Sequence, residues 1–329
     1  MATKSAETGC RVCGSADVGI AGVVEYLAGY AWTVYDCDVC GCRFTRHDER
    51  VYNLLHKSGA ISYYADYRDL GTQCRTLFKQ QDKEALRNVL CRTPKYRFII
   101  EHATGEGESS RFLEVGCSRG YLTSYFVLKG QSVLGVDVAA EAVESAREAF
   151  GDHFELAGSH VVDASVPYDV VYHVGIIGCV RDPVGLTKQL LAMLKPGGRL
   201  LFNAPNRAAL HLRGQLWLDS APPPDLVTLF PEGFWKRHFS NQADVIEEVE
   251  TLSSENATAL ALRSLCGPRW RQPVPQPLAS AGQTWTQQMG AGWRLFDRTV
   301  RKAARLTGFL GLAPRMPSEF GLFVQMTVR

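Results

Sequence analysis

From residue 111 onward, the chain alternates between two patterns of hydrophobic and polar positions. Short apolar runs, which are typical of buried strands, lie at residues 112–115, 132–137, 168–173 and 199–203. Stretches with helical composition or spacing lie at residues 121–129, 140–150 and 186–194. Strands that alternate with helices predict a doubly wound α/β fold. Its parallel sheet is covered by helices and binds ligands at the carboxyl ends of the strands.

The segments on either side of this region follow other patterns. Residues 76–90 predict a helix before the sheet. After the sheet, residues 230–249 predict a helix and residues 258–262 a short strand. Residues 292–310 predict a basic amphipathic helix, whose charges indicate a solvated face more often than a contact with phosphate or membrane. Residues 320–328 predict the last strand.

Composition and charge restrict the class of protein. At about 150 residues per domain, the 329 residues predict about two domains. The 36 basic and 34 acidic side chains leave a net charge of +2, which supplies no general attraction for nucleic acid. No apolar run approaches the roughly 20 residues of a membrane span, and residues 1–9 lack the apolar core of a signal peptide. We therefore expect a soluble, cytoplasmic protein that binds neither nucleic acid nor membrane.

Half of the ten cysteines lie within the first 42 residues. Four of them form two turns of one type, Cys10-Arg-Val-Cys13-Gly and Cys37-Asp-Val-Cys40-Gly. The glycine allows a tight bend that points both sulfurs at one ion, and four thiolates make a closed tetrahedral zinc site. The predicted ligands of a structural zinc ion are Cys10, Cys13, Cys37 and Cys40. Cys42 is an alternative to Cys40, and a pair of turns without zinc is the alternative to metal binding.

The turn after the first predicted strand has the features of a nucleotide-binding loop. Gly116 and Gly120 bracket it, so the backbone can approach a ligand closely at the N-terminus of the next helix. Asp137 lies 21 positions beyond Gly116, at the end of the next strand, where a carboxylate can accept both ribose hydroxyls. The same layout serves dinucleotides, so the glycines alone do not identify the cofactor.

Four ordered motifs in this region resemble those of class I S-adenosylmethionine-dependent methyltransferases. They are Glu114-Val-Gly-Cys-Ser-Arg-Gly120, Gly135-Val-Asp137, Tyr168-Asp-Val-Val171 and Leu194-Lys-Pro-Gly-Gly198, and the similarity covers residues 111–206. The cysteine turns are similar to the zinc-binding domain that precedes some small-molecule methyltransferases, including sugar C-methyltransferases. The resemblance implies a Rossmann-like sheet with its last strand antiparallel, a small N-terminal zinc-ribbon-like module and a C-terminal extension.

The resemblance also implies which residues contact S-adenosylmethionine. Glu114 lies behind the glycine loop near the methionine amino group, the loop faces the methionine and the ribose, and Asp137 holds the ribose. The chain from His173 onward lines the sulfonium. The predicted cofactor-binding residues are Glu114, Gly116, Cys117, Ser118, Gly120, Tyr121, Asp137, Val138, His173, Val174, Tyr63, Tyr64 and Tyr67.

The three tyrosines of that set belong to a segment before the sheet, which in this superfamily usually covers the cofactor. The faces of Tyr63, Tyr64 and Tyr67 can hold a sulfonium by cation–π attraction. The same side chains can equally pack the zinc module against the sheet.

Candidate catalytic groups are few, because the chain departs from its relatives near the predicted sulfonium site. Residues 177–181, which precede Asp182-Pro183, lack the glutamate and the histidine that the related methyltransferases carry before Asp-Pro, and Pro-Pro-Pro-Asp225-Leu lacks a further histidine. His173 and Tyr172 remain as predicted catalytic residues, and His173 is the only obvious general base. His173 can equally be a histidine at the end of a strand that only packs.

The predicted division of the chain has four parts. They are a zinc-binding module at residues 1–48, a helical, tyrosine-rich, cofactor-covering segment at 49–110, an S-adenosylmethionine-binding core at 111–265, and a C-terminal extension with the last strand at 266–329.

These features favour a methyltransferase of secondary metabolism that acts on a small-molecule acceptor of natural-product type. Methyl transfer would run in line, in a pocket stripped of water. One alternative consumes S-adenosylmethionine without methylating anything and releases methylthioadenosine, as azetidine-2-carboxylate synthases do. A non-catalytic binding module is a second alternative. The expected partner is the small molecule, or S-adenosylmethionine alone, and a homo-oligomer is compatible with the sequence.

The two cysteine turns predict the zinc content of the purified protein. Freshly purified protein, never exposed to chelator, should contain about one zinc ion per chain, because four thiolates form one closed site. Replacement of Cys37 by serine should lower stability more than it alters the cofactor pocket, since the metal stabilises a small module. Metal analysis that finds no zinc would contradict the site.

Overall fold

A computed structural model describes most of the chain. The described residues are 9–25, 31–46, 48–53, 68–103, 110–157, 167–210, 215–218, 220–221, 223–266, 291–309 and 314–329. The predicted cofactor-covering tyrosines Tyr63, Tyr64 and Tyr67 lie outside these residues. Among the described residues, no helix combines the length and apolar character needed to cross a bilayer.

The described elements alternate as the α/β pattern requires. The strands are β1 Val18–Glu25, β2 Ala31–Cys37, β3 Arg43–Thr45, β4 Arg111–Val115, β5 Ser132–Asp137, β6 Phe154–Leu156, β7 Tyr168–His173, β8 Leu194–Ala204, β9 Thr228–Leu229, β10 Ala243–Thr251 and β11 Pro317–Val328. The helices are α1 Glu49–Tyr52, α2 Arg68–Lys79, α3 Lys83–Leu90, α4 Pro94–His102, α5 Tyr121–Leu128, α6 Ala140–Phe150, α7 Pro183–Ala192, α8 Phe234–Phe239, α9 Ser254–Leu265 and α10 Ala291–Phe309.

The larger sheet has the order β10-β11-β8-β7-β4-β5-β6. Its strands from β8 to β6 pair in parallel, and β11 pairs antiparallel with β8 and with β10. Strand β4 lies between β5 and β7, so the connections diverge there and leave a crevice at the carboxyl ends. The predicted doubly wound fold with an antiparallel last strand is therefore confirmed.

The smaller sheet has the order β1-β2-β3-β9. Strands β1 and β2 form a hairpin that leads into the second cysteine turn, and β3 follows that turn. Strand β9 comes from the opposite half of the sequence, with Phe44 opposite Thr228. The cysteine-rich module is thus joined by backbone pairing to a segment that follows β8. The domain boundaries given above stay predictions.

Two predictions after the sheet are wrong. Residues 230–249 form the short helix α8 followed by strand β10, because residues 243–251 alternate and pair along β11. The carboxylate of Glu247 on β10 accepts the backbone N–H groups of Gly233, Trp235 and Lys236, which caps α8. Residues 258–262 lie inside helix α9, which begins after Ser253, a side-chain cap for the N–H of Asn256.

The single helix predicted at residues 76–90 is divided in two. Gln81 adopts a φ of 57°, which interrupts the helical path. Asp82 then caps α3 by accepting the N–H of Ala85 at 2.9 Å. The basic helix α10 packs along α9, and its Arg301 and Arg305 pair with acidic side chains. Arg301 pairs with Asp297 of the same helix and Arg305 with Glu255 of α9, and both arginine side chains remain exposed to solvent.

An aromatic cluster anchors α8 to the sheet. Trp235 is fully buried, and its ring lies 4.9 Å from the rings of Phe202, Phe230 and Phe234. Because interiors are closely packed, loss of one such ring leaves a cavity that its neighbours cannot fill.

Replacement of Trp235 by alanine should lower the free energy of unfolding by about 3–5 kcal/mol, measured by urea titration. The matched control is Trp235→Phe, which keeps an aromatic ring there. It also removes an indole N–H that has no acceptor among the described residues, so its loss should be much smaller. Equal losses in the two variants would show that ring packing does not explain the contribution of Trp235.

Candidate active site

A glycine loop joins β4 to α5 at the centre of the crevice. Gly116 and Gly120 adopt φ values of 76° and 74°, which favour glycine, and Ser118 lies between them at 49°. The N–H groups of Gly116 and Cys117 donate to the carbonyl of Val136 at 2.8 and 3.0 Å. A Cβ atom on Gly116 would lie 2.6 Å from Cγ2 of Ile176. The loop therefore turns tightly against β5, as a close backbone approach to a ligand requires.

Asp137 ends β5 directly beside this loop. Its Oδ2 atom accepts the N–H of Ser118 at 2.7 Å, and Oδ1 accepts the N–H of Ala139 at 2.9 Å. Burial raises the pKa of the Asp137 carboxyl, and these hydrogen bonds oppose the rise. Each oxygen retains a free lone pair, so the carboxylate can also accept ligand hydroxyls.

A buried carboxyl lies beneath the loop. Glu114 accepts a hydrogen bond from the hydroxyl of Thr123, and the hydroxyl of Tyr172 donates to the same oxygen at 3.4 Å. Burial raises the pKa of Glu114 to about 8, and the hydrogen bonds oppose that rise. An unpaired carboxylate is therefore disfavoured here, and a bound cation would stabilise its ionised form.

The two predicted catalytic residues at the end of β7 point to opposite faces of the sheet. Tyr172 is buried against Phe126 and supports Glu114 from below. His173 is fully buried and stacks on Phe202 with 4.7 Å between ring centroids. Within the described part of the chain neither ring nitrogen has a hydrogen-bond partner, and burial lowers the pKa of His173 to about 3. This environment favours the packing alternative for His173 over general-base catalysis.

The remaining predicted cofactor residues surround the loop unevenly. Cys117 is buried, and burial raises its pKa, whereas Ser118 is exposed. Tyr121 is half-buried, with its hydroxyl against Gly71, so α2 lies beside the loop. Val138 and Val174 are half-buried at the ends of β5 and β7.

The segment after β7 packs against two later segments of the chain. The N–H of Gly175 donates to Oδ1 of Asn203 at 2.9 Å. The carbonyl of Gly178 accepts the N–H groups of Val227 and Thr228 at 2.9 and 3.0 Å. A Cβ atom on Gly178 would clash with Leu226, so the two segments touch at this glycine. Hydrogen bonding therefore joins the segments that follow β7 and β8.

An apolar roof cluster covers this junction. Its buried members are Val34, Ala209, Trp217, Leu218, Ala221, Leu226 and Leu229, and Cys179 packs against them. The sequence indicates an apolar stretch here but not that Val34 of the cysteine-rich module completes it.

Asp225 directly precedes Leu226 of this roof and is an acidic residue that was not among the predicted site residues. The residue is half-buried, and burial raises the pKa of its carboxyl from 3.8 to about 7 by disfavouring the charged form. Burial raises the pKa of the nearby Cys179 thiol, and the charge of Asp225 raises it further. An acid within an otherwise apolar stretch is the signal that could have identified it. Asp225 therefore places a titratable carboxyl near Cys179, in the segment that follows β7.

The cysteine turns bring four sulfur atoms together. The Sγ atoms of Cys10, Cys13, Cys37 and Cys40 all lie within 4.8 Å of one another. Two of the separations, Cys10 to Cys40 and Cys13 to Cys37, are 3.7 and 3.6 Å. Zinc–sulfur bonds of about 2.3 Å place tetrahedral ligands about 3.8 Å apart, so this donor set fits zinc. The cluster is the predicted one, with Cys40 rather than Cys42.

Comparison with known proteins identifies the family. Residues 81–243 match the family model described as "Methyltransferase domain". The ubiquinone biosynthesis O-methyltransferase of Aliivibrio fischeri is 28% identical over 180 residues, which cover 53% of this chain and 73% of that protein. The protein of the same description from Cronobacter sakazakii is 31% identical over 119 residues, 34% of this chain and 49% of its own.

The chain belongs to the class I S-adenosylmethionine-dependent methyltransferases. Among solved structures, it is similar to the YcgJ protein of Bacillus subtilis, with a TM-score of 0.40, 16% identity, and coverage of 70% of this chain and 97% of that one. A methyltransferase of Archaeoglobus fulgidus gives a TM-score of 0.41 and 15% identity over 71% of this chain and 92% of its own. Both TM-scores are below 0.5, and the family follows from the match of residues 81–243 to the methyltransferase domain.

A substitution at Asp137 tests whether this residue binds S-adenosylmethionine. Asp137→Ala removes the carboxylate beside the glycine loop and leaves the N–H of Ser118 without its acceptor. One charged hydrogen bond contributes about 1.5–3 kcal/mol, so affinity for S-adenosylmethionine should fall about 10-fold or more in calorimetry. The control is Asp152→Ala, because that side chain is 98% exposed after α6. Unchanged affinity in Asp137→Ala would remove Asp137 from the binding site.

Proposed function

We propose that this methyltransferase methylates a hydroxyl oxygen of a small, largely apolar acceptor of natural-product type. The observation that carries the proposal is Asp225, a half-buried acid that directly precedes Leu226 of the roof cluster and whose pKa burial raises to about 7. A general base works best with a pKa near the working pH and a position within reach of the acceptor proton. The similar ubiquinone biosynthesis enzymes are named as O-methyltransferases, which supports oxygen as the methylated atom.

The donor side of the proposed site is the crevice at β4 and β5. The backbone of residues 116–120 would face the donor, Asp137 would accept the ribose hydroxyls, and Glu114 would face its ammonium group. The buried Glu114 carboxyl supports this placement, since an adjacent cation would offset the cost of ionising it. Bound S-adenosylmethionine supplies an electrophilic methyl group whose electron pair remains on sulfur when the C–S bond breaks.

The acceptor side comprises residues 175–181, residues 223–229 and the roof cluster. Its apolar side chains would exclude water from the acceptor, which strengthens electrostatic interactions inside the site. Asp225 would take the hydroxyl proton as the acceptor oxygen forms its bond to the methyl carbon, and would release that proton to solvent afterwards. Cys179 lies beside it, and Arg11 and Lys95 are within electrostatic range of that thiol.

The cysteine cluster is proposed to hold a structural zinc ion. Four thiolates leave no open coordination position, so a role in methyl transfer chemistry does not fit the donor set. A role in secondary metabolism, a cytoplasmic location, a homo-oligomeric state and the lack of a nucleic-acid partner stay predictions.

One experiment separates methyl transfer from consumption of S-adenosylmethionine alone. The full chain is incubated with methyl-labelled S-adenosylmethionine, with and without a panel of phenols and catechols, and the products are identified by mass spectrometry. Labelled methyl ethers and a donor that stays intact without acceptor are expected. Methylthioadenosine formed at catalytic rates without acceptor would replace the proposal with a lyase or cyclase reaction. Label on carbon or nitrogen would contradict transfer to oxygen.

Asp225→Asn tests the proton acceptor. Transfer should fall about 100-fold or more while S-adenosylmethionine affinity is retained, because only the proton-accepting group is lost. The wild-type rate should rise through pH 7 as Asp225 ionises. The control is Asp244→Asn on β10, an exposed side chain paired with Arg329.

The same variant has a stability signature. Because folding raises the pKa of Asp225 from 3.8 to about 7, the folded wild type should lose stability relative to Asp225→Asn as the pH rises through that interval. Parallel stability curves for the two proteins, measured by denaturant unfolding at pH 4 to 8, would show that folding does not raise the pKa of Asp225.

A further inference from the structure

Arg11 lies inside the first cysteine turn, between the predicted ligands Cys10 and Cys13. Its guanidinium donates four hydrogen bonds to backbone carbonyls, and the acceptors are Thr45 at 3.3 Å, Val227 at 3.2 Å, Val180 at 2.7 Å and Arg181 at 2.9 Å. A guanidinium has five N–H donors in a rigid plane, so these bonds use most of its capacity in one orientation.

Three of the four acceptors belong to the proposed acceptor side. Val180 and Arg181 follow Cys179 directly, and Val227 lies two residues after Asp225. The carbonyl of Gly178, which accepts two N–H groups from residues 227 and 228, joins the same two segments beside Arg11. One side chain of the cysteine-rich module therefore holds the backbone on both sides of the Cys179–Asp225 pair.

The second cysteine turn is also joined to the core, but here the side chain that donates belongs to the core. Arg207, which follows β8, donates from Nη1 to the carbonyl of Gly41, and its Nη2 lies 3.3 Å from a carboxylate oxygen of Asp36. Both turns thus contact segments that extend from the carboxyl ends of β7 and β8.

The direction of the Arg11 side chain depends on the conformation of its turn. Within this turn the N–H of Cys10 donates to the carbonyl of Ser15, the N–H of Gly14 to the carbonyl of Cys10, and the N–H of Val12 to the Cys10 sulfur. A metal ion held by the flanking sulfurs would fix the backbone on both sides of Arg11. A module this small gains much of its folding free energy from such a metal.

We propose that Arg11 is a positioning residue that makes the order of the acceptor side depend on the cysteine cluster. It touches neither donor nor acceptor and acts through the backbone of residues 178–181 and 225–228. The term acceptor side rests on the proposed function, but the linkage itself is measurable without methyl transfer. The competing possibility is a simple structural tie, whose loss lowers global stability and leaves local order unchanged.

The test compares Arg11→Ala with Arg46→Ala in the full, zinc-loaded chain. Arg46 is the matched control, because its Nη1 donates to Gly9 at 2.9 Å and its guanidinium lies over Tyr35, all within the cysteine-rich module. Two local readouts are hydrogen exchange of peptides covering 174–181 and 223–229, and the rate at which Cys179 is alkylated, quantified by mass spectrometry. Exchange of β4 and β5 reports global opening.

In Arg11→Ala, exchange of both peptides and alkylation of Cys179 should accelerate about 10-fold or more, with β4 and β5 unchanged. Arg11→Lys should recover part of the protection, since one ammonium group cannot reach all four carbonyls. Arg46→Ala should match the wild type. Removal of zinc should loosen the same segments in the wild type and Arg46→Ala, but add little in Arg11→Ala, because linked perturbations are not additive.

Two results would overturn the inference. Wild-type exchange and alkylation in zinc-loaded Arg11→Ala would show that Arg11 holds neither segment. An equal further loosening of Arg11→Ala on zinc removal would show that the linkage bypasses Arg11. If an acceptor is found, Arg11→Ala should raise its KM and leave S-adenosylmethionine affinity intact. If none is found, the proposed function fails while the exchange comparison still decides the role of Arg11.

Discussion

The parallel pairing of β4 with β5 on one side and with β7 on the other is the constraint on which the structure depends. Leu113 lies opposite Leu134 in one neighbour and Val171 in the other, so β4 is fixed at the centre of the sheet. The chain must then leave β4 within a few residues without disturbing either neighbour. The positive φ at Gly116 permits that turn, and the crevice at the carboxyl ends follows from it.

Burial sets the electrostatics on both sides of this crevice. Glu114 and Asp225 are acids whose pKa values rise to about 8 and about 7, in each case chiefly because burial disfavours the charged carboxylate. Glu114 is supported by the hydroxyls of Thr123 and Tyr172, as suits a fixed group beneath a loop. Asp225 lies on an apolar segment beside Cys179, and its pKa of about 7 places its change of protonation near neutral pH.

The cysteine-rich module is built into the methyltransferase core. Its sheet is completed by β9, its Val34 belongs to the roof cluster, and Arg11 and Arg207 cross between the two parts. Such contacts make the module a wall of the proposed acceptor side. The cysteine cluster of the first 42 residues and the proposed acceptor side at residues 175–181 and 223–229 are therefore physically connected.

Much of this was determined by the sequence alone, because it depends on local patterns. Apolar runs located β4, β5 and β7, the spacing of the cysteines located the cluster of four sulfur atoms, and the glycines with Asp137 located the loop. Local pattern failed at residues 230–249, where pairing along β11 selects a strand for the second half.

Only the tertiary structure decided what the side chains do. Burial lowers the pKa of His173 to about 3 and raises that of Asp225 to about 7, and neither shift can be derived from residue type alone. The sequence alone shows Arg11 only as a cation between two cysteines. The fold places the distant carbonyls of Val180, Arg181 and Val227 around its guanidinium. Burial and contacts between residues far apart in sequence are properties of the packed chain, so no local pattern encodes them.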